Sequence, residues 1–160
     1  MQQEILKLLE NDARLSAKQL SEMAGIPTAE VSKLVKKAEK DRVILKYKTV
    51  VNWDKAGNDN VWAMIEVRVS PQSDVGFDAI AEHIYRFPET RTVYLVSGTY
   101  DLMLVVTGKT LKQVGEFVSE NVATIDGIQG TVTHFVLKRY KEDGEIIEGN
   151  PAVKRQPVIL

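Results

Sequence analysis

Ser16-Ala17-Lys18-Gln19-Leu20-Ser21-Glu22-Met23-Ala24-Gly25-Ile26-Pro27-Thr28-Ala29-Glu30-Val31-Ser32-Lys33-Leu34-Val35-Lys36-Lys37-Ala38 is the stretch whose reading decides the fold. Its first four residues have the form of a capping box, in which the Ser16 hydroxyl and the Gln19 side chain satisfy backbone donors at a helix start. Leu20 and Met23 stripe that helix to about Ala24. Gly25 stands where a left-handed residue ends a helix and lets the chain turn sharply. Pro27 suits the first position of the next helix, because its missing N–H would be an orphan there anyway. Val31, Leu34, Val35 and Ala38 provide that helix's buried face, and lysines occupy the other. Upstream, Gln2 to Glu10 sets Ile5, Leu8 and Leu9 at helical spacing, and Leu15 follows the polar break Asn11-Asp12-Ala13-Arg14. Three helices, the last one basic and entered through a Gly-containing turn, predict a helix-turn-helix, whose second element lays side chains into the major groove.

Beyond the basic helix, Val43-Ile44-Leu45-Lys46-Tyr47-Lys48-Thr49-Val50-Val51 reads as two short β segments, the wing of a winged helix, with Lys46 and Lys48 placed to touch phosphates. Asp54-Lys55-Ala56-Gly57-Asn58-Asp59-Asn60 is the most polar, turn-rich stretch and therefore the expected linker. The expected domains are 1–57, 58–140 and a tail over 141–160.

The period then changes. Val61, Ala63, Ile65, Val67 and Val69 alternate with Trp62, Met64, Glu66, Arg68 and Ser70, as in a half-buried strand. Phe77, Ile80, Ala81 and Ile84 follow helical spacing up to Phe87-Pro88, where proline biases its predecessor out of the helix. Strands over Thr92 to Ser97 and Tyr100 to Thr107 are expected to meet in a tight hairpin at Gly98-Thr99. Leu111, Val114 and Val118 mark a second helix, and Gly130 to Tyr140 a last strand. The order β-α-β-β-α-β predicts a ferredoxin-like split, an antiparallel sheet covered by two helices on one face. Its other face, with Trp62 and Met64, is expected to join two copies sheet to sheet.

Charge and composition narrow the function. The chain has 160 residues, 21 Lys+Arg against 22 Asp+Glu, and no cysteine, which excludes disulfides, thiolate metal sites and thiol chemistry. The near-neutral total conceals an asymmetry: residues 1–55 carry 11 basic and 8 acidic side chains, residues 56–160 carry 10 and 14. From Thr28 to Lys48, seven cations face three acids, which suggests a polyanion partner, although such a run more often merely solvates a helix face. No window reaches the roughly 18 to 20 apolar residues of a membrane span, and Met1-Gln2-Gln3-Glu4 lacks a signal peptide's opening. A cytoplasmic protein with no membrane partner is expected.

At this point the sequence resembles a family. A winged helix-turn-helix followed by a βαββαβ domain, an α+β architecture, is similar to the Lrp/AsnC transcriptional regulators over about residues 1–140. Gly25-Ile26-Pro27-Thr28-Ala29-Glu30-Val31-Ser32-Lys33, with Lys37-Ala38-Glu39 and Val43-Ile44, resembles the family's recognition helix and its exit. Ser97-Gly98-Thr99-Tyr100-Asp101-Leu102-Met103-Leu104 resembles the Gly-x-x-Asp hairpin of its sensor domain, and Thr124-Ile125-Asp126-Gly127-Ile128 with Thr131 and Thr133 resembles the segment leading into its final strand. Two departures stand out: Arg42 where the family commonly has Gly, and Pro27 in place of the usual Ser cap. The tail, with Glu142, Asp143, Glu145 and Glu148 before Lys154 and Arg155, extends past the pattern and is expected either to be disordered or to pack across a dimer.

The resemblance implies DNA binding through Thr28, Glu30, Ser32, Lys33, Lys36, Lys37, Arg42, Lys46 and Lys48. The lysines would set affinity through phosphates. Thr28, Glu30 and Ser32 are candidates for base reading that equally suit helix capping or solvation. It also implies a palindromic operator, a homodimer with higher assembly, and an amino-acid effector held between dimers by Gly98, Thr99, Tyr100, Asp101, Thr124 and Thr131. Read from the residues alone, Gly98 serves a turn and Asp101 caps backbone donors. No cofactor, metal or catalytic residue is expected. His83 and His134 are the only histidines, and there is neither an HExxH pair nor a Gly-rich phosphate loop. Two alternatives remain open: some relatives of this fold are siroheme decarboxylases that use histidines, and an ACT-like sensor module would serve a partner enzyme but leaves the first 55 residues unexplained.

Overall fold

The computed structural model describes residues 2–57, 60–70 and 76–148. The chain divides into two compact units, Met1–Val51 and Asn52–Leu160.

In the first unit, α1 (Gln2–Asn11), α2 (Ala17–Ala24) and α3 (Thr28–Lys40) enclose a core of Ile5, Leu9, Leu20 and Val31, with Leu15, Ile26, Val35 and Ile44 packed against it. The capping box forms: the Gln19 N–H donates to Ser16 Oγ, and the Ser16 N–H donates to Gln19 Oε1 at 2.9 Å. Gly25 ends α2 at φ 67, and Ser21 Oγ donates to the Ile26 carbonyl across the turn. Pro27 lies one position earlier than expected. It is the residue before the helix, at φ −58 and ψ 139, and its carbonyl accepts from the Glu30 and Val31 N–H groups.

α3 ends in a Schellman motif. The Val43 N–H reaches the Ala38 carbonyl at 2.8 Å, and the Arg42 N–H reaches Glu39 at 3.1 Å. The left-handed residue of that motif is Arg42, at φ 56. The bend is therefore made by a bulky residue held in a conformation it rarely adopts. The expected β segments of the wing do not form: no strand occurs between Val43 and Val51. The physical reason lies in Leu45-Lys46-Tyr47-Lys48, which has no Gly, Asn, Asp or Pro to reverse the chain, so no neighbouring strand of the same unit comes alongside.

The second unit contains β1 (Val61–Val69), α4 (Phe77–Tyr85), β2 (Thr90–Leu95), β3 (Leu102–Gly108), α5 (Leu111–Phe117), which continues as a π-helical turn over Val118–Val122, and β4 (Ile128–Phe135). The four strands lie in the order β2-β3-β1-β4, every neighbouring pair antiparallel, which is the ferredoxin-like arrangement. Ala63, Ile65, Val67, Leu102, Leu104 and Val106 are fully buried beneath the helices' Ile80, Ile84, Val114, Phe117 and Val122. Each such Val, Leu, Ile or Phe side chain contributes about 1.5–3 kcal/mol by leaving water.

Three details differ from expectation. The β2–β3 connection is not a two-residue turn but runs from Val96 to Asp101, closed by the Val96 N–H on the Asp101 carbonyl at 2.9 Å. β4 stops at Phe135 instead of Tyr140, with one further bond from the Val136 N–H to the Trp62 carbonyl. The segment 141–148, expected as part of a tail, is ordered. It makes a small hairpin, β5 (Lys141–Glu142) with β6 (Glu145–Ile146), turned through Asp143 and Gly144 at φ 45 and 87. Residues 149–160 lie outside the described residues. No helix among the described residues is long and apolar enough to cross a membrane.

Candidate nucleic-acid interface and effector site

Burial orients α3. Val31 and Ala38 are buried with Leu34 and Val35 half-buried beside them, so the opposite face belongs to solvent. The helical period places Lys33, Lys36 and Lys40 together at the centre of that outward face, with Lys37 and Ser32 on its shoulders. Ala29, one turn before Lys33, lies on the same line. Thr28 and Glu30 are exposed in the first turn but sit toward opposite edges of the face. Lys40 and Ala29 were not among the expected residues. The 3.6-residue spacing from Lys33 and Lys36 marks both.

Arg42, Lys46 and Lys48 are all exposed. Between the last two, the Tyr47 hydroxyl donates to Glu39 Oε1 at 2.9 Å, which fastens the segment after α3 back onto that helix. Partial burial and the neighbouring Glu39 carboxylate raise the Tyr47 pKa above its ordinary 10.0. The same tyrosine closes a groove of about 270 Å³ with Leu9, Leu15, Val35 and Lys36.

In the second unit, Asp101 is built into the sheet. Its N–H donates to the Val67 carbonyl at 3.0 Å, and its Oδ2 accepts from the Val69 N–H at 2.7 Å. Gly98 at φ 148 and Thr99 form the exposed part of the connection, while Tyr100 is half-buried. Thr131 pairs with Val67 from the other side, so Asp101 and Thr131 flank the end of β1. Thr124 is elsewhere. Its hydroxyl donates to the Glu120 carbonyl at 2.8 Å, and it lines a cleft of about 450 Å³ with His83, Phe87, Glu120 and Asp126. Within one chain, the six expected effector residues do not converge on a single pocket.

The two histidines do not meet either. His83 packs near Phe87, with ring centroids 5.7 Å apart, on the helical layer. His134 projects from the uncovered sheet face, its Nε2 3.1 Å from Glu66 Oε1. Around that pair the face carries Met64, Met103, Val105, Val132 and Tyr94, of which Val132 and Tyr94 are more than half exposed. No group of three His, Asp or Glu side chains suited to a metal ion occurs among the described residues.

Comparison with known proteins agrees with this geometry. The model of the Lrp/AsnC ligand binding domain matches residues 62–146, and that of a winged helix-turn-helix DNA-binding domain matches residues 1–44. The Bacillus subtilis (strain 168) protein called uncharacterized HTH-type transcriptional regulator YugG is 44% identical over 153 residues, covering 95% of this chain and 92% of its own. Two solved structures share the fold at lower identity. Escherichia coli AsnC has a TM-score of 0.67 at 21% identity, covering 88% of this chain and 93% of its own. The Neisseria meningitidis transcriptional regulator NMB0573, solved as an L-Met complex, has a TM-score of 0.71 at 22% identity, covering 88% and 90%. The curated relative is named as a transcriptional regulator, which favours the regulator reading over the decarboxylase and enzyme-module readings. With a helix-turn-helix in its first unit and a ligand-binding fold in its second, the chain belongs to the Lrp/AsnC family of DNA-binding transcriptional regulators.

Proposed function

We propose that this regulator binds an imperfect palindromic operator in double-stranded DNA as a symmetric cytoplasmic homodimer, and that an amino acid or related small metabolite adjusts that binding. The observation that carries the reading is the outward face of α3, where Lys33, Lys36 and Lys40 project together with Lys37 beside them. Those lysines, with Arg42, Lys46 and Lys48, neutralise phosphates and give affinity without sequence preference. Thr28, Glu30 and Ser32 contact base edges, and Ala29 adds a methyl suited to a thymine.

The apolar sheet face around Met64, Met103, Val105 and Val132 supports a dimer joined sheet to sheet. For the effector, an α-ammonium group suits the Asp101 carboxylate, which can accept more than one hydrogen bond. Gly98, Thr99, Tyr100 and Asp101 from one subunit and Thr124 and Thr131 from another would complete a site between dimers, in a tetramer or octamer. Ligand binding then shifts the balance between assemblies of different DNA geometry.

The test is binding of the purified protein to DNA from upstream of its own gene at two salt concentrations, beside a Lys36→Ala/Lys37→Ala variant. The expected outcome is salt-sensitive binding whose log–log slope falls by about 2 in the variant. Absence of binding at low salt, with and without a panel of amino acids, overturns the reading.

A further inference from the structure

No strand forms between Val43 and Val51, yet this part of the first unit is fastened to the helix before it. The Tyr47 hydroxyl donates to Glu39 Oε1 at 2.9 Å, eight residues back along the chain. Below the hydroxyl, Tyr47 shares the lining of the groove of about 270 Å³ with the apolar side chains of Leu9, Leu15 and Val35. Burial is the larger of the causes that raise its pKa, as expected of a ring set against such a surface. One side chain thus combines an apolar seat with a directional bond.

The place of Glu39 on α3 gives that bond its meaning. Val31 and Ala38 face the core, and Lys33, Lys36 and Lys40 face out. Glu39 follows Ser32 by seven positions and Lys36 by three, so the helical period sets it on the flank that carries Ser32, while Lys37 lies on the opposite flank. The groove agrees, since Ser32, Lys36, Glu39 and Tyr47 all line it. Lys46 and Lys48 stand immediately before and after Tyr47, and both are exposed. Consecutive Cα atoms are about 3.8 Å apart, so a tyrosine held on Glu39 fixes where both lysine side chains begin.

We propose that Tyr47 is a positioning residue for DNA binding: held on Glu39, it sets Lys46 and Lys48 beside the Ser32–Lys36 edge of α3, where they meet phosphates on that side of the reading helix. A phosphate contact made from an unfastened segment must order that segment on binding, which offsets part of its gain. The Tyr47 bond supplies that order in advance and extends the basic surface of α3 toward one flank only. This inference rests on the reading of α3 as the helix that meets DNA and of Lys46 and Lys48 as phosphate contacts.

The experiment uses the full chain and a DNA site selected from a random pool by the wild-type protein, with affinity measured at several salt concentrations. Lys46→Ala/Lys48→Ala should lower the log–log salt slope by about 2. Tyr47→Ala, with both lysines in place, should lower it by about 1 or more, and the lysine pair should then account for less than about 1 in that background. Tyr47→Phe, which keeps the ring and loses the bond, should fall between wild type and Tyr47→Ala. Because phosphates carry no base sequence, the ratio of affinities for the selected site and a scrambled one should change by less than about twofold in either tyrosine variant. A tyrosine that served only the fold would leave the lysine pair counting for about 2 in every background, and that result overturns the assignment. If Tyr47→Ala melts below the assay temperature, the same comparison made in Tyr47→Phe decides. A lysine pair that leaves the wild-type slope unchanged also overturns it, because Tyr47 then has no contact to place. A wild type that selects no DNA site overturns the proposed function itself, and this inference with it.

Discussion

The Asp101 carboxylate accepts the Val69 backbone N–H at 2.7 Å, taking the place of a strand neighbour where the ladder between β1 and β3 has run out at Val67 and Leu102. β1 is irregular at Arg68 and Val69, and the next N–H, of Ser70, bonds to Gly127 on the other side at 2.6 Å. The side chain that most resembles an effector ligand in the sequence is thus also a structural part of the sheet.

Asp101→Ala should lower stability by about 1–3 kcal/mol, because it leaves the Val69 N–H without its acceptor. Asp101→Asn keeps an oxygen acceptor and should lose less, while removing the charge suited to an α-ammonium group. Urea titration of both variants, with calorimetric titration of amino acids, separates the two roles. If Asp101→Asn binds amino acids as well as wild type does, the carboxylate serves the sheet alone.

Arg42→Gly should stabilise the first unit while weakening DNA binding. A left-handed conformation costs a non-glycine residue about 1–2 kcal/mol, against roughly 0.5–1 kcal/mol of extra chain entropy that Gly brings to the unfolded state. The net gain is about 0–1.5 kcal/mol by these figures. Loss of one cation should reduce the salt slope of DNA binding by about 1. Thermal melting and binding at several salt concentrations check the two effects separately.

Tyr47 should ionise above the ordinary tyrosine value of 10.0. Its pKa is raised by burial first and by the Glu39 carboxylate second. A raised folded pKa favours the protonated form, so its contribution to stability is complete below pH 10.0 and is lost as pH rises through the folded value. The difference between the phenolate absorbance titrations of wild type and Tyr47→Phe should report a group that ionises above pH 10.0. A titration unchanged by that substitution would count against the contact.

Gly108→Ala should destabilise the end of β3. A Cβ there would stand 2.8 Å from Val114 Cγ2, on a buried and branched side chain that cannot swing away. Overpacking of this kind costs about 1–3 kcal/mol. A lowered urea midpoint with unchanged slope is the expected result.

Several features could be read in advance because their causes are local. The capping box Ser16 to Gln19, the Gly25 turn and the alternation Val61 to Val69 each depend on residues a few positions apart. The wing could not, because Val43 to Val51 has strand-forming residues but no turn chemistry. The C-terminal hairpin carried a usable local signal in Asp143-Gly144, the pair that favours a two-residue turn. What it packs against had none, since Asn52 and Ile147 are 95 positions apart.

The sequence by itself determined the three-helix reading unit, the βαββαβ order and the concentration of lysines on one helix, because periodicity and capping act within a turn or two of chain. Tertiary structure alone decided that Arg42 takes the left-handed place at the end of α3, that Asp101 completes the end of β1, and that Arg139 reaches Asp54. Each of these depends on where distant backbone groups come to rest when the core closes, and that position is set by packing of the whole sheet against its helices rather than by the preferences of neighbouring residues.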